Sequence, residues 1–172
     1  MAQLVQSGAV HDPVDFATNE LQIVVPEGNL AGVTGLDDFA DRELLLGLCA
    51  AEVPCGAFAR QALAAAGVEP SVDTEEVDVR ALLTKVEAGE LDAGIVYVSD
   101  VVSAGGAVEG IAVPEEHNVS ARYPIAVTSG TDDPELAADF VDHVRSAAAR
   151  RALDAGQNLL LLQRDAQLFV DG

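Results

Sequence analysis

The sequence predicts an α/β fold, and three observations carry that expectation. Strand-like apolar runs alternate with stretches of helical periodicity, the pattern of βαβ units. Hydrophobic residues make up 49% of the chain while aromatics are 4% and Trp is absent, so the core must be built from Ala, Val and Leu. At 172 residues the chain suggests one domain or two small lobes. It buries roughly 70% of its unfolded surface, so no metal or disulfide staple is needed.

The elements follow in order. Leu21 to Val25 (LQIVV) reads as a buried strand closed by a turn at Pro26-Glu27-Gly28-Asn29. A short helix is expected over Leu36 to Asp41, then a strand from Glu43 to Cys49. A loop over Ala50 to Pro54 leads into a helix from about Gly56 to Ala66. There Ala59, Ala62, Leu63 and Ala66 recur at i, i+3, i+4 and i+7, and Gly67 is the stop. A second helix runs over Asp78 to Ala88, its face formed by Val79, Leu82, Leu83 and Val86 and its end by Gly89. Gly94 to Val98 (GIVYV) is the clearest strand, Val108 to Val113 another, and Tyr123 to Val127 a return strand. Asp133 followed by Pro134 marks a helix start, with Leu136, Phe140, Val141 and Val144 as its apolar face. The segment after Gly156 has no clear period.

Charge excludes whole classes of partner. Twenty-nine acidic residues face nine basic ones, a net charge of −20, and Lys85 is the only lysine. A field of that sign repels nucleic acid and anionic lipid, so neither is expected as a partner. No run approaches the ~20 apolar residues of a membrane helix, so direct membrane insertion is not expected. Met1 to Val10 (MAQLVQSGAV) has neither the charged nor the apolar region of a secretory signal. That pattern fits a cytoplasmic protein, or a chain that begins within a longer one.

Three constellations suit an anion. Cys49-Ala-Ala-Glu-Val-Pro-Cys55-Gly56 lies at a strand-to-helix junction, where unpartnered N–H groups and the helix dipole attract negative charge without a basic side chain. Its plainer reading is a tight turn into a helix. A second helix start follows Glu75-Glu76-Val77-Asp78, where Asp78 is a good N-cap and Val79 presents its amide. Tyr97 lies near the carboxyl end of the GIVYV strand, where open α/β sheets bind ligands, and its hydroxyl can donate; a half-buried core Tyr is the alternative. Enzymatic signatures are absent. His11, His117 and His143 have no metal-ligand spacing, and there is no GxSxG elbow or P-loop. Cys55 at a helix start would need a partner base to act as a nucleophile. The six-residue spacing of Cys49 and Cys55 leaves a disulfide or two free thiols open.

Together these blocks resemble the periplasmic molybdate-binding protein family. The likeness runs from about Met1 to Gly156 through Phe16-Ala-Thr-Asn19 into LQIVVPEGN, CAAEVPCGAFARQAL, VRALLTKVEAGELDAGIVYVSD and ARYPIAV. The cysteine-containing loop is similar to the branch found in high-GC Gram-positive bacteria. The resemblance implies a type II periplasmic-binding fold, non-catalytic and without a cofactor, holding molybdate or tungstate in an interlobe cleft. Matched residue by residue, it implies backbone donors at Cys55 and Val79 and a hydroxyl donor at Tyr97. It also implies an extracytoplasmic location and a membrane permease of an ABC importer as partner.

Against that pattern the two serine-bearing loops of the first lobe are missing. The expected organisation is therefore a first-lobe remnant and crossover over 1–20, a complete second α/β lobe over 21–119, a return strand and C-terminal helix over 120–156, and an atypical tail over 157–172. Two rival expectations remain on the same fold: a truncated fragment that binds nothing, and a cytoplasmic oxyanion sensor. A third, a thiol enzyme, requires a depressed Cys55 pKa.

Overall fold

The computed structural model describes residues 1–155; the 157–172 tail lies outside the described residues. In chain order the elements are α1 (Ala2–Gln6), β1 (Val10–Asn19), β2 (Leu21–Pro26), β3 (Leu46–Cys49), α2 (Pro54–Ala65), β4 (Thr74–Glu76), α3 (Val79–Glu87) and β5 (Ala93–Tyr97). Then come α4 (Val98–Ala104), β6 (Val108–Ala112), β7 (Ala121–Thr128), α5 (Pro134–Arg145) and α6 (Ala147–Ala155). Short 3-10 turns occupy Leu36–Ala40 and Gly105–Ala107. The described residues divide into two compact units: Glu20–Ser120, and Met1–Asn19 with the described residues from Ala121 on.

The Glu20–Ser120 unit is built on a five-stranded sheet of order β4-β3-β5-β2-β6. β3 runs parallel to both β4 and β5, whereas β2 runs antiparallel to β5 and β6. Both faces are covered, which is why its strands read as nearly continuous apolar runs. Leu21, Ile23, Leu46, Leu48 and Ile95 turn to one face, where Phe39 and the α2 residues Ala59, Ala62 and Leu63 close over them. Val24, Cys49 and Val96 turn to the other, against Leu82 and Val86 of α3. Gly47 makes that second layer fit: a Cβ there would stand 2.7 Å from Leu82 Cδ1 and 2.6 Å from Leu91 Cδ1.

The element boundaries show what local pattern misses. β3 starts at Leu46 rather than Glu43 because the Leu45 N–H is held by the Asp92 carboxylate at 2.7 Å, outside any ladder. α2 starts at Pro54, two residues before Gly56, with proline in the first turn where its missing N–H costs nothing. Val98 opens α4 instead of ending β5. β4, with the polar sequence Thr-Glu-Glu, is a strand only because β3 lends it a partner. Asp78 caps α3 as expected, accepting from Ala81 N at 2.8 Å.

The other unit pairs β1 antiparallel with β7, with irregularities after His11 and Asp15. Arg122 and Asp15 bridge the two strands at 3.3 Å. Asp133 caps α5 through Leu136 N at 2.9 Å, with Pro134 in the first turn. The α5 face expected to be apolar is only partly covered, since Leu136 and Phe140 remain 65% and 60% exposed.

Candidate functional site

The parallel strands β4, β3 and β5 are neighbours in the sheet and end on one edge, at Glu76, Cys49 and Tyr97. Each is followed within a few residues by a helix. The N-termini of α3, α2 and α4 therefore all lie at that edge, α2 over one face of the sheet and α3 and α4 over the other. First-turn amides have no partner within a helix and lie at the positive end of its dipole, so three starts at one edge make it rich in N–H donors.

The donors differ from helix to helix. In α2, Val53 at the cap supplies no side-chain acceptor, and the first helical amide to bond is Ala57, to Val53 O at 3.0 Å. Cys55 and Gly56 thus begin the helix with amides the helix does not use. Gly56 is required by contact: a Cβ there would lie 2.1 Å from Ala50 O and 2.3 Å from Cys49 O. In α3 the Asp78 side chain takes Ala81 N and its carbonyl takes Leu82 N at 3.3 Å, leaving Val79 and Arg80 ahead of the capped amides. Tyr97 is half-buried, packs against both core layers, and donates its N–H to Asp100 Oδ2 at 3.0 Å.

Burial pushes the Asp100 carboxyl up, against the Tyr97 N–H and the Arg80 charge, which favour the carboxylate. The charges of Asp78 and Asp100 are both felt at Cys49.

Cys49 and Cys55 are buried free thiols, so the disulfide left open by the sequence is not formed in this structure. Their side chains hydrogen-bond to each other, which pushes Cys55 up, with burial adding to it, and Cys49 down. Cys55 Sγ also stands 3.4 Å from Ile95 O. A raised, 2% exposed thiol is the opposite of an activated nucleophile, which removes the basis for the thiol-enzyme expectation.

Two residues to which the sequence reading gave no role organise this edge. Arg60, one turn after Gly56, donates Nη1 to Cys49 O at 2.8 Å and to Gly56 O at 3.1 Å, and pairs through Nη2 with Glu75. It ties β3, α2 and β4 together. Asp100 is the other; its three-residue spacing from the Tyr97 cap was its only visible signal. Among the described residues no three His, Cys, Asp or Glu side chains group as a metal site. No described helix is long and apolar enough to cross a membrane.

The sequence pattern of the bacterial extracellular solute-binding protein family matches residues 1–155. Molybdate-binding protein ModA of Mycobacterium tuberculosis is 39% identical over 142 residues, 83% of this chain and 54% of that protein. An ABC transporter substrate-binding lipoprotein of Bacillus subtilis, YvgL, is 28% identical over 158 residues, 88% of this chain and 60% of that one. The chain thus spans little more than half the length of these relatives. In fold, it is similar to a substrate-binding domain assigned to a molybdenum ABC transporter of Clostridium difficile. That match has a TM-score of 0.76 at 21% identity and covers 90% of this chain and 69% of that one.

Proposed function

The chain belongs to the bacterial extracellular solute-binding protein family, and on that premise we propose that it is the substrate-binding component of a molybdate importer. The observation that carries this reading is the presence of three helix starts at one sheet edge, in a chain 39% identical to a molybdate-binding protein. The amides of Cys55 and Val79 and the Tyr97 hydroxyl donate to a tetrahedral dianion. Tungstate, of the same charge and nearly the same size, fits the same donors. The anion is bound and released unchanged, with no cofactor, and passes to the membrane permease of an ABC importer from an extracytoplasmic position.

Net charge does not oppose this. A −20 surface acts through salt, where charges beyond ~10 Å are largely screened. N–H groups at a helix start act in direct contact, and neutral donors need no counter-charge to be removed when the anion leaves.

A thermal-shift titration of the full chain with molybdate tests the reading, with sulfate and phosphate as controls. A ligand at a hundredfold excess over Kd adds about 2.7 kcal/mol, which in a chain of this size raises Tm by roughly 5–10 °C. Tyr97→Phe removes one charge-assisted hydrogen bond, worth about 1.5–3 kcal/mol, and weakens binding roughly tenfold to a hundredfold. An equal response to sulfate would refute the choice of ligand. No response in a cooperatively folded sample would show that this chain does not hold the anion by itself.

A further inference from the structure

We propose that Cys49 and Cys55 are a dithiol that closes to an intramolecular disulfide, cross-linking the end of β3 to the first turn of α2. They are the only two cysteines in the chain, and they share one buried cluster with Val24, Leu82 and Val96. Cys55 Sγ is held 3.4 Å from Ile95 O, on the strand paired with the one that Cys49 ends. The backbones of the two cysteines are held together as well: Gly56 packs against Cys49 O, and Arg60 bridges the carbonyls of both segments. Burial at 0% and 2% exposure screens both thiols from a second chain, so an intramolecular bond is the one this packing favours. Ala51 and Glu52 of the connecting loop are exposed, so the proposal requires that loop to open for a small oxidant to reach the thiols.

The chemistry is a two-electron exchange with a small-molecule disulfide such as oxidised glutathione. Cys49, whose thiolate is favoured by its contact with Cys55, attacks one sulfur of the oxidant, and a glutathione thiolate leaves and takes up a proton. With Cys49 tied up in the mixed disulfide, the contact that chiefly holds the Cys55 thiol up is gone; Cys55 then loses its proton and attacks the Cys49 sulfur, expelling a second glutathione. Two protein thiols are oxidised, one glutathione disulfide is reduced to two thiols, and both protons end on the leaving thiols. The bond would fix the position of the Cys55 amide, a consequence that rests on the anion-binding reading above.

The test equilibrates the full chain in glutathione buffers of stepped redox ratio, quenches with acid, alkylates under denaturing conditions and reads intact and peptide masses. The expected result is a monomer two hydrogens lighter, unalkylated at both cysteines, and a Cys49–Cys55 cross-linked peptide. Its Tm rises by roughly 5–10 °C over the reduced form, from closing a short loop. Cys49→Ala should lose the redox dependence of Tm, and Cys49→Ser serves in its place if the alanine variant does not fold. Free thiols in the most oxidising buffer, a trapped glutathione adduct, a cross-link between two chains, or a disulfide that lowers Tm would each overturn the proposal. Molybdate titration of both redox forms separates the two readings: binding by neither form counts against the proposed function and leaves the mass result to decide the disulfide.

Discussion

Lys85 Nζ lies 2.5 Å from Glu76 Oε1, so the only lysine in the chain joins α3 to the edge strand β4. Thr74 adds a second bond to the same carboxylate oxygen at 2.6 Å. The Lys85 bond first, and then Thr74, hold the Glu76 carboxyl below its usual 4.5. A depressed carboxyl favours the fold above its unfolded pKa, and that contribution disappears as pH falls through the folded value. Lys85→Met should therefore cost about 1–2 kcal/mol at neutral pH, since it strands a mostly buried carboxylate. The gap from wild type should narrow in the window below 4.5. Urea unfolding at neutral pH and in acid checks both, and a gap unchanged in acid would sink the assignment.

Gly56 has no room for a methyl group, its added Cβ falling 2.1 Å from a backbone oxygen of the preceding loop. Backbone cannot step aside as a long side chain can. Gly56→Ala should destabilise by about 3 kcal/mol or more, at the upper end of overpacking costs. The displaced first turn should lose molybdate affinity in any fraction that still folds. Thermal unfolding with and without molybdate reads both effects; a variant of native Tm would mean that the α2 start is not packed as described.

What could be read before folding follows from where the information lies. β2 and β5 were legible because burial on both faces leaves their runs almost wholly apolar, with Gln22 the one polar interruption. The starts of α3 and α5 were legible because Asp78 and Asp133 carry local capping chemistry. β4 was not, because three polar residues become a strand only through pairing with β3. α4 was not, because Val98 and Val101 have strand composition and no turn separates them from β5. Leu136 and Phe140 show a further limit: periodicity reports an amphipathic face but not whether anything covers it. At the site, Cys55 and Val79 could be placed at helix starts from local punctuation. The partners of Arg60 and Asp100 depend on which strand ends become neighbours, and no local window contains that.

Asp100 is the acidic group most at odds with an anion site. It is half-buried at the start of α4, and its carboxyl is raised chiefly by burial. For a raised carboxyl the charged form is the costly one in the fold: the penalty is present above the folded pKa and is relieved as pH falls toward the unfolded value of 3.8. Asp100→Asn removes the charge and keeps an oxygen for the Tyr97 N–H. The variant should be as stable as wild type at neutral pH or better by up to about 1 kcal/mol, with no advantage in acid. Loss of a like charge near the three helix starts should tighten molybdate roughly threefold to tenfold. Calorimetric titration of both proteins at neutral pH and near pH 4 decides the matter. Weaker binding by the variant would mean that the carboxylate serves the site through its hold on Tyr97, and that this hold outweighs the repulsion.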